Sequence, residues 1–340
     1  MRDVAEYRKK RQSVSKYEYI STENMLQHYM GITPYADSSN IEGIEYCVGD
    51  TLIGNIRPYL KKVWFATFDG ACSADVLALK PNYINPEFLY DIIAQDGFIE
   101  YVMSGVKGSK MPRGDKSHIL DYETALPSLA EQEKIAYFLR LLSTRIQKLQ
   151  LLIDSLKKYK RGLLYTIFSD DNNWDRVRLG DICSIKTGKL DANAMEDNGA
   201  YPFFTCAREH YAINTYAFDC DALLISGNGA NVGYIHHYCG KFNAYQRTYV
   251  LSNFTANIIY IQYYLETRLA ERIEAEKKAG NTPYIVLSTL SDMEISLPAL
   301  AQQNKIAVLM SYCDKHIQNE ESHLEYLEIL KKSLLRNLFI

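Results

Sequence analysis

The sequence predicts an α+β protein in which two similar globular mixed α/β domains are separated by two long helices. The helices are expected to form an antiparallel coiled coil with internal pseudo-twofold symmetry. Three observations carry this prediction. An eleven-residue phrase occurs twice, as LPSLAEQEKIA from Leu126 and as LPALAQQNKIA from Leu297, 171 residues apart in a chain of 340. Each copy opens a sustained apolar heptad pattern. The blocks left between them, 1–125 and 169–296, are nearly equal in length and rich in short β-branched and aromatic runs broken by Gly, Asn and Asp.

The repeat extends without a gap from Leu126–Phe168 to Leu297–Phe339, with 15 of 43 positions identical. It therefore reads as a duplication. In the first copy Ile135, Leu139, Leu142, Ile146, Leu149, Ile153 and Leu156 alternate at spacings of four and three. In the second, Ile306, Met310, Ile317, Leu324 and Leu327 keep the same register, with Cys313 and Glu320 filling it. That period is a coiled-coil seam. Lys160 and Lys331 are shared polar interruptions of it, the kind of residue that fixes register. Ser128 and Glu131 form a capping box at the first helix start. The 33-residue seam would run roughly 50 Å.

The chain divides accordingly into a first domain (1–125), a central helix (126–168), a second domain (169–296) and a C-terminal helix (297–340). The polar run SDDNNWD at Ser169 marks a boundary. A fainter repeat joins the blocks: GDTLIGNIR from Gly49 and CDALLISGN from Cys220 keep the offset and match Asp50 with Asp221. A helix follows in each, over 85–104 with Asn85 as N-cap and over 257–279.

Composition narrows the function classes. Hydrophobic and charged contents of 47% and 23% are those of a globular protein, and no apolar run is long enough to span a bilayer. The N-terminal MRDVAEYRKKRQ has no apolar segment after its charges, so no secretory signal is expected. Seven cysteines without C-x-x-C spacing suit a reducing cytoplasm and no structural zinc site. HHYC at His236 lacks a second ligand pair, so no metal is expected.

Net charge is −3, and both domain blocks are acidic, but their acids are segregated. No acid lies between Asp50 and Asp69 or between Asp221 and Glu266, where Arg57, Lys61, Lys62, Lys241 and Arg247 do lie. Basic, Asn-rich and Tyr-rich patches on an acidic body fit a face that tracks phosphates and reads bases. A non-DNA coiled-coil scaffold protein is the competing class, and it gives no reason for such patches in both blocks.

A second alternative is an N6-adenine DNA methyltransferase, suggested by ALLISGNGANVG at Ala222 and NTPY at Asn281. A nucleotide-type glycine turn must open a helix and needs a carboxylate about 20 residues on. Here the following residues read as strands, and no acid occurs from Ala222 to Leu265. No P-loop, HExxH or GxSxG is present, so no catalytic group is assigned.

Two variable blocks, each closed by L-P-x-L-x-x-Q-x-K-I-A and a long helix ending L-L-x-x-[IL]-F, resemble the specificity (S) subunit of Type I restriction-modification systems. WDRVRLGDI at Trp174 matches the opening of a target recognition domain, and YISTENML at Tyr19 and GSKMPRGDK at Gly108 look like one recurring type of such domain. Block 1–125 departs by lacking a W-x-x-x-x-L-G-D-I opening. The resemblance implies a non-catalytic DNA-binding subunit of the bacterial or archaeal cytoplasm that reads a bipartite, asymmetric duplex target, with the coiled coil as ruler. It implies two methyltransferase (M) subunits carrying S-adenosylmethionine and restriction (R) subunits using ATP and Mg, with no cofactor in this chain and no membrane partner.

Within that reading, side chains able to pair with base edges in the acid-poor segments are the base-reading candidates. They are Asn55, Arg57, Tyr59 and Arg113 in the first domain, and Asn228, Asn231, Gln246, Arg247, Asn281 and Thr282 in the second. Lys61, Lys62, Lys110, Lys189 and Lys278 are the phosphate candidates.

Overall fold

The computed structural model describes residues 1–106, 108, 110–169, 173–276 and 284–339, and among these eight α-helices position the rest. In chain order they are α1 (Pro86–Ile93), α2 (Asp96–Ser104), α3 (Lys116–Leu120), α4 (Leu129–Ile167), α5 (Leu179–Ile182), α6 (Ile258–Glu276), α7 (Leu287–Ser291) and α8 (Leu300–Leu338). Helices α4 and α8 are each 39 residues long. The chain forms two compact units, and each takes part of both long helices. Unit 1 is Met1–Leu151 with Glu321–Ile340, and unit 2 is Leu152–Glu320.

In unit 1 the strands Ala5–Tyr7, Val76–Pro81, Thr51–Gly54 and Val63–Phe65 form an antiparallel sheet in that order. A second sheet runs Arg11–Ser15, Asn40–Tyr46, Gly70–Cys72, Tyr19–Ile20, its last pair parallel. Successive side chains of a strand face opposite ways, and the core follows that alternation. Ile53, Leu77 and Leu79 pack with α1, α2, Leu139, Leu335 and Phe339. Leu52, Val76 and Ala78 pack instead with Ile20, Tyr46 and Cys72 of the second sheet.

Unit 2 repeats this layering with different strands. Its six-stranded sheet is ordered Ser184–Thr187, Thr248–Ser252, Phe218–Ser226, Ile235–Ala244, Tyr201–Phe204, Tyr211–Ile213. Leu223, Ile225 and Leu251 face α6, Phe168, Ile306 and Met310. Ala222, Leu224 and Val250 face Phe204 and Phe242. Trp174 precedes a strand, Asp175–Arg178, that pairs with Glu294–Leu297 just before α8. In unit 1 Ala5–Tyr7 joins Val76–Pro81 as Ser184–Thr187 joins Thr248–Ser252, and among the described residues no strand there corresponds to Asp175–Arg178.

Each duplicated helix ends in a phenylalanine buried in its own unit. Phe339 lies 5.2 Å from the Phe88 ring, and Phe168 lies 5.5 Å from the Tyr260 ring. The first turns of α4 thus share a core with the last turns of α8 in unit 1, and the last turns of α4 with the first of α8 in unit 2. Such start-to-end pairing is what an antiparallel pair requires. Leu139, Leu142, Leu149, Ile153, Ile306, Met310, Ile317 and Leu327 are buried, and Ile135, Ile146, Leu156 and Leu324 are half-buried.

The glutamine of the repeated phrase closes a clamp. Gln132 accepts from the N–H of Asn85 and donates to the carbonyl of Pro127, both at 2.9 Å. Gln303 does the same with Asn257 at 2.9 Å and Pro298 at 2.7 Å. Asn85 and Asn257 in turn cap α1 and α6 by accepting from Phe88 and Tyr260. Half of the expected capping box forms: the Ser128 N–H donates to the Glu131 carboxylate at 3.0 Å, but the Ser128 hydroxyl donates to it as well, at 2.7 Å, and the Glu131 N–H goes to the Ser128 carbonyl.

Two expectations need correction. The single helix over 85–104 is two helices, because Gln95 is extended (φ −138°, ψ 157°) and buried between α1 and α2. The matched Asp50 and Asp221 do different jobs. Asp50 is buried and takes a two-point contact from Arg8, whereas Asp221 is exposed and pairs with His237 at 2.7 Å.

Candidate nucleic-acid interface

In each unit a buried central strand runs out into a loop that is bridged by a later segment. In unit 1, Thr51–Gly54 leads to Asn55, whose carbonyl accepts from Gly114 N–H at 3.1 Å, while Arg57 N–H donates to Pro112 at 2.8 Å. In unit 2, Phe218–Ser226 leads to Gly227, whose carbonyl accepts from Ile285 N–H at 2.8 Å, and Asn228 bridges Tyr284. Arg57 and Asn228, like Arg113 and Tyr284, lie 171 residues apart, so the duplication reaches these edges.

The unit 1 edge is a tight turn. Arg57 (φ 51°) and Lys61 (φ 54°) are left-handed and flank the 3₁₀ turn Pro58–Leu60. Pro58 is buried, which leaves Arg57 and Tyr59 exposed. The Arg57 guanidinium makes no hydrogen bond or ion pair among the described residues. Arg113 is exposed and held by Asp75 at 3.1 Å. Lys110 is exposed. The Asn55 side-chain oxygen is buried, without a partner among the described residues, and it sits 2.9 Å from where a Cβ on Gly114 would fall.

Two lysines on this turn are engaged inside the protein. Lys61 Nζ lies 2.6 Å from Asp96, which Lys332 also approaches at 3.1 Å. Burial pushes the Asp96 carboxyl up, but the hydrogen bonds from Lys61 and Lys332 outweigh it and hold it below its ordinary value. Lys62 Nζ donates to the Thr22 carbonyl at 2.5 Å.

The unit 2 edge is a glycine loop, 227–233, that leads into a strand, Ile235–Ala244, and opens no helix. A Cβ on Gly227 would lie 2.4 Å from the Arg247 carbonyl, so the two segments can approach only with glycine there. Asn228 accepts from the Cys206 thiol at 3.1 Å, and Asn231 donates to the Cys206 carbonyl at 3.0 Å. Both amides therefore brace the loop. Gln246 donates to Asp191 at 2.7 Å. Arg247 is exposed and makes no side-chain hydrogen bond or ion pair among the described residues. Lys189 lines a cleft of about 630 Å³ with Lys186, Phe218 and Tyr249. Asn281, Thr282 and Lys278 lie outside the described residues.

Sequence reasoning passed over Arg208, Tyr234 and Tyr284, which are exposed on this same edge. Arg208 lies 5.6 Å from the Tyr234 ring centroid. It escaped because it stands next to Glu209, outside the acid-free run that served as the signal. Among the described residues no cluster of His, Cys, Asp and Glu is placed to hold a metal, and no helix is long and apolar enough to cross a membrane. His236 contacts the Ala207 carbonyl at 3.1 Å, and burial lowers its pKa.

Comparison with known proteins fits this duplicated architecture. Residues 2–158 and 171–328 each match the family model of the Type I restriction modification DNA specificity domain. The chain belongs to that family. It is 37% identical over 161 residues to the specificity subunit of the Type I restriction enzyme EcoDI of Escherichia coli, a match that covers 47% of this chain and 36% of that one. The chain thus spans about a third of that relative. A Mycoplasma pneumoniae protein assigned as a type I specificity subunit is 23% identical over 312 residues, 85% of this chain and 81% of the relative. The crystal structure of a Type I restriction-modification S subunit from M. genitalium has the same fold, with a TM-score of 0.67 and 17% identity, covering 97% of this chain and 96% of that one. A structure from work on complex assembly and conformational transition of the type I R-M system aligns over 98% of both chains, with a TM-score of 0.58 and 18% identity.

Proposed function

We propose that this chain is the DNA-reading specificity subunit of a Type I restriction-modification complex and has no chemistry of its own. Each unit reads one half of a split duplex target, Arg57, Tyr59 and Arg113 in unit 1 and Arg247 in unit 2 being the exposed readers. Lys110 and Lys189 are the exposed phosphate contacts, and Lys61 and Lys62 are left out because their ammonium groups are already engaged. The observation that carries this reading is the family match falling twice, once on each unit's edge-bearing domain. Arginine suits the task because its fork matches the acceptor pair of guanine.

Two methyltransferase subunits, carrying S-adenosylmethionine, dock on the long helices, and restriction subunits supply ATP- and Mg-dependent cleavage. Support comes from an exposed apolar patch that the duplication places twice. It is Tyr137, Phe138 and Leu141 on α4, and Val308, Leu309 and Tyr312 on α8. Patches repeated at one offset suit two copies of one partner.

Coexpression with the methyltransferase subunit, followed by single-molecule methylation sequencing, tests the reading. Methylated adenines within a split motif are expected. Methylation at contiguous motifs, or none, would sink it.

A further inference from the structure

We propose that Arg208 reads a guanine in the half-site of unit 2. This deepens, and rests on, the function proposed above. The segment that carries Arg208 is pinned at three points, two on the glycine loop and one on the strand that follows it. The Cys206 thiol donates to Asn228 at 3.1 Å, Asn231 donates to the Cys206 carbonyl at 3.0 Å, and His236 Nε2 donates to the Ala207 carbonyl at 3.1 Å. The Cys206 thiol also lies 3.5 Å from the Arg247 carbonyl. Cys206 therefore touches the glycine loop and the Arg247 turn together, two residues before Arg208.

The guanidinium itself is held near a ring without being consumed. It lies over the Tyr234 ring at 5.6 Å, is exposed, and makes no hydrogen bond or ion pair among the described residues. Attraction to a ring face holds an arginine without using its N–H groups, so the fork stays open. An open planar fork on a braced edge is prepared for a two-point contact with guanine O6 and N7. A solvated or phosphate-binding arginine needs neither the ring contact nor the bracing.

The test is single-molecule methylation sequencing of the complex with its methyltransferase subunits, comparing wild type with Arg208→Ala, Arg208→Lys and Tyr234→Ala. Arg208→Ala is expected to relax one G·C position in one half of the motif, with discrimination there falling roughly 10- to 100-fold. The other half should stay unchanged. Tyr234→Ala should relax the same position to a smaller degree. Three results overturn the proposal: unchanged specificity, relaxation spread over both halves, or uniform weakening at all targets that Arg208→Lys restores, which marks a phosphate contact. A wild-type complex that yields no split motif overturns the parent reading as well, so the two failures are distinguishable.

Discussion

The Gln132 amide accepts from the backbone N–H of Asn85 and donates to the carbonyl of Pro127, both at 2.9 Å. One side chain so joins the start of α4, the proline before it and the cap of α1. Gln132 is 3% exposed, and Gln132→Ala leaves the part-buried Asn85 N–H without this partner. Such a loss costs about 1–3 kcal/mol. Gln303→Ala should cost a similar amount in unit 2. Urea unfolding of the two single variants and the double variant measures this, with near-additive losses expected because the clamps share no partner.

Lys160 and Lys331 occupy the same place in the two repeats but sit in different company. Lys160 contacts Asp314 at 2.5 Å, and Asp314 also accepts from the Tyr263 hydroxyl at 2.6 Å. Lys331 faces Asp91 instead, and burial lowers its pKa. Lys160→Met strands a carboxylate and should cost on the order of 1–2 kcal/mol, moderated because Asp314 is 44% exposed. Lys331→Met leaves a carboxyl that burial already favours in its neutral form, so its cost should be smaller. Denaturant midpoints of the two variants decide the order.

Asp91 makes stability depend on pH. Burial raises its pKa from 3.8 to about 8, against the opposing pull of Lys331. The folded chain therefore holds a proton that the unfolded chain has released, and the stability Asp91 contributes falls as pH rises from about 4 toward 8. Lys331, with a lowered pKa, acts in the opposite sense at higher pH. Thermal unfolding between pH 5 and 8 should show a flatter decline for Asp91→Asn than for wild type. An unchanged slope would show that this carboxyl is not the source.

Phe138 and Leu309 test the repeated apolar patches one at a time. Phe138→Asp or Leu309→Asp alone should leave a complex with one methyltransferase subunit, and the double variant should hold none. Native mass spectrometry counts the subunits directly. Both residues are about half exposed, so little folding stability should be lost.

Arg57→Ala should relax one position in the half-site opposite to the one that Arg247→Ala affects, each by roughly 10-fold or more. Methylation motif sequencing separates the two. Change in the same half from both variants would show that the units are not independent readers.

The long helices were legible in the sequence because a 3.5-residue period repeated without a gap leaves few other solutions. The edges were half legible. Acid-free runs pointed to Arg57 and Arg247, which are exposed, but also to Lys61, whose partner Asp96 lies 35 residues away. Sequence distance hid that pairing, as it hid the approach of Arg208 to the Tyr234 ring. Asn228 and Asn231 have the right chemistry for adenine, yet their amides turn toward Cys206. Residue type says what a side chain can bond, and only the fold says what has already claimed it.

The division of α8 between the units has a consequence in time. Unit 2 is one continuous stretch, 152–320, whereas the core of unit 1 includes Leu335 and Phe339. As the ribosome extends the chain at roughly 5–20 residues per second, unit 2 can close as soon as residue 320 emerges. Unit 1, although begun first, stays open until residues 321–339 follow, on the order of ten seconds or more after Leu151 is made. The domain translated first is completed last, and over that interval its apolar sheet face is the part of the nascent chain most in need of cover.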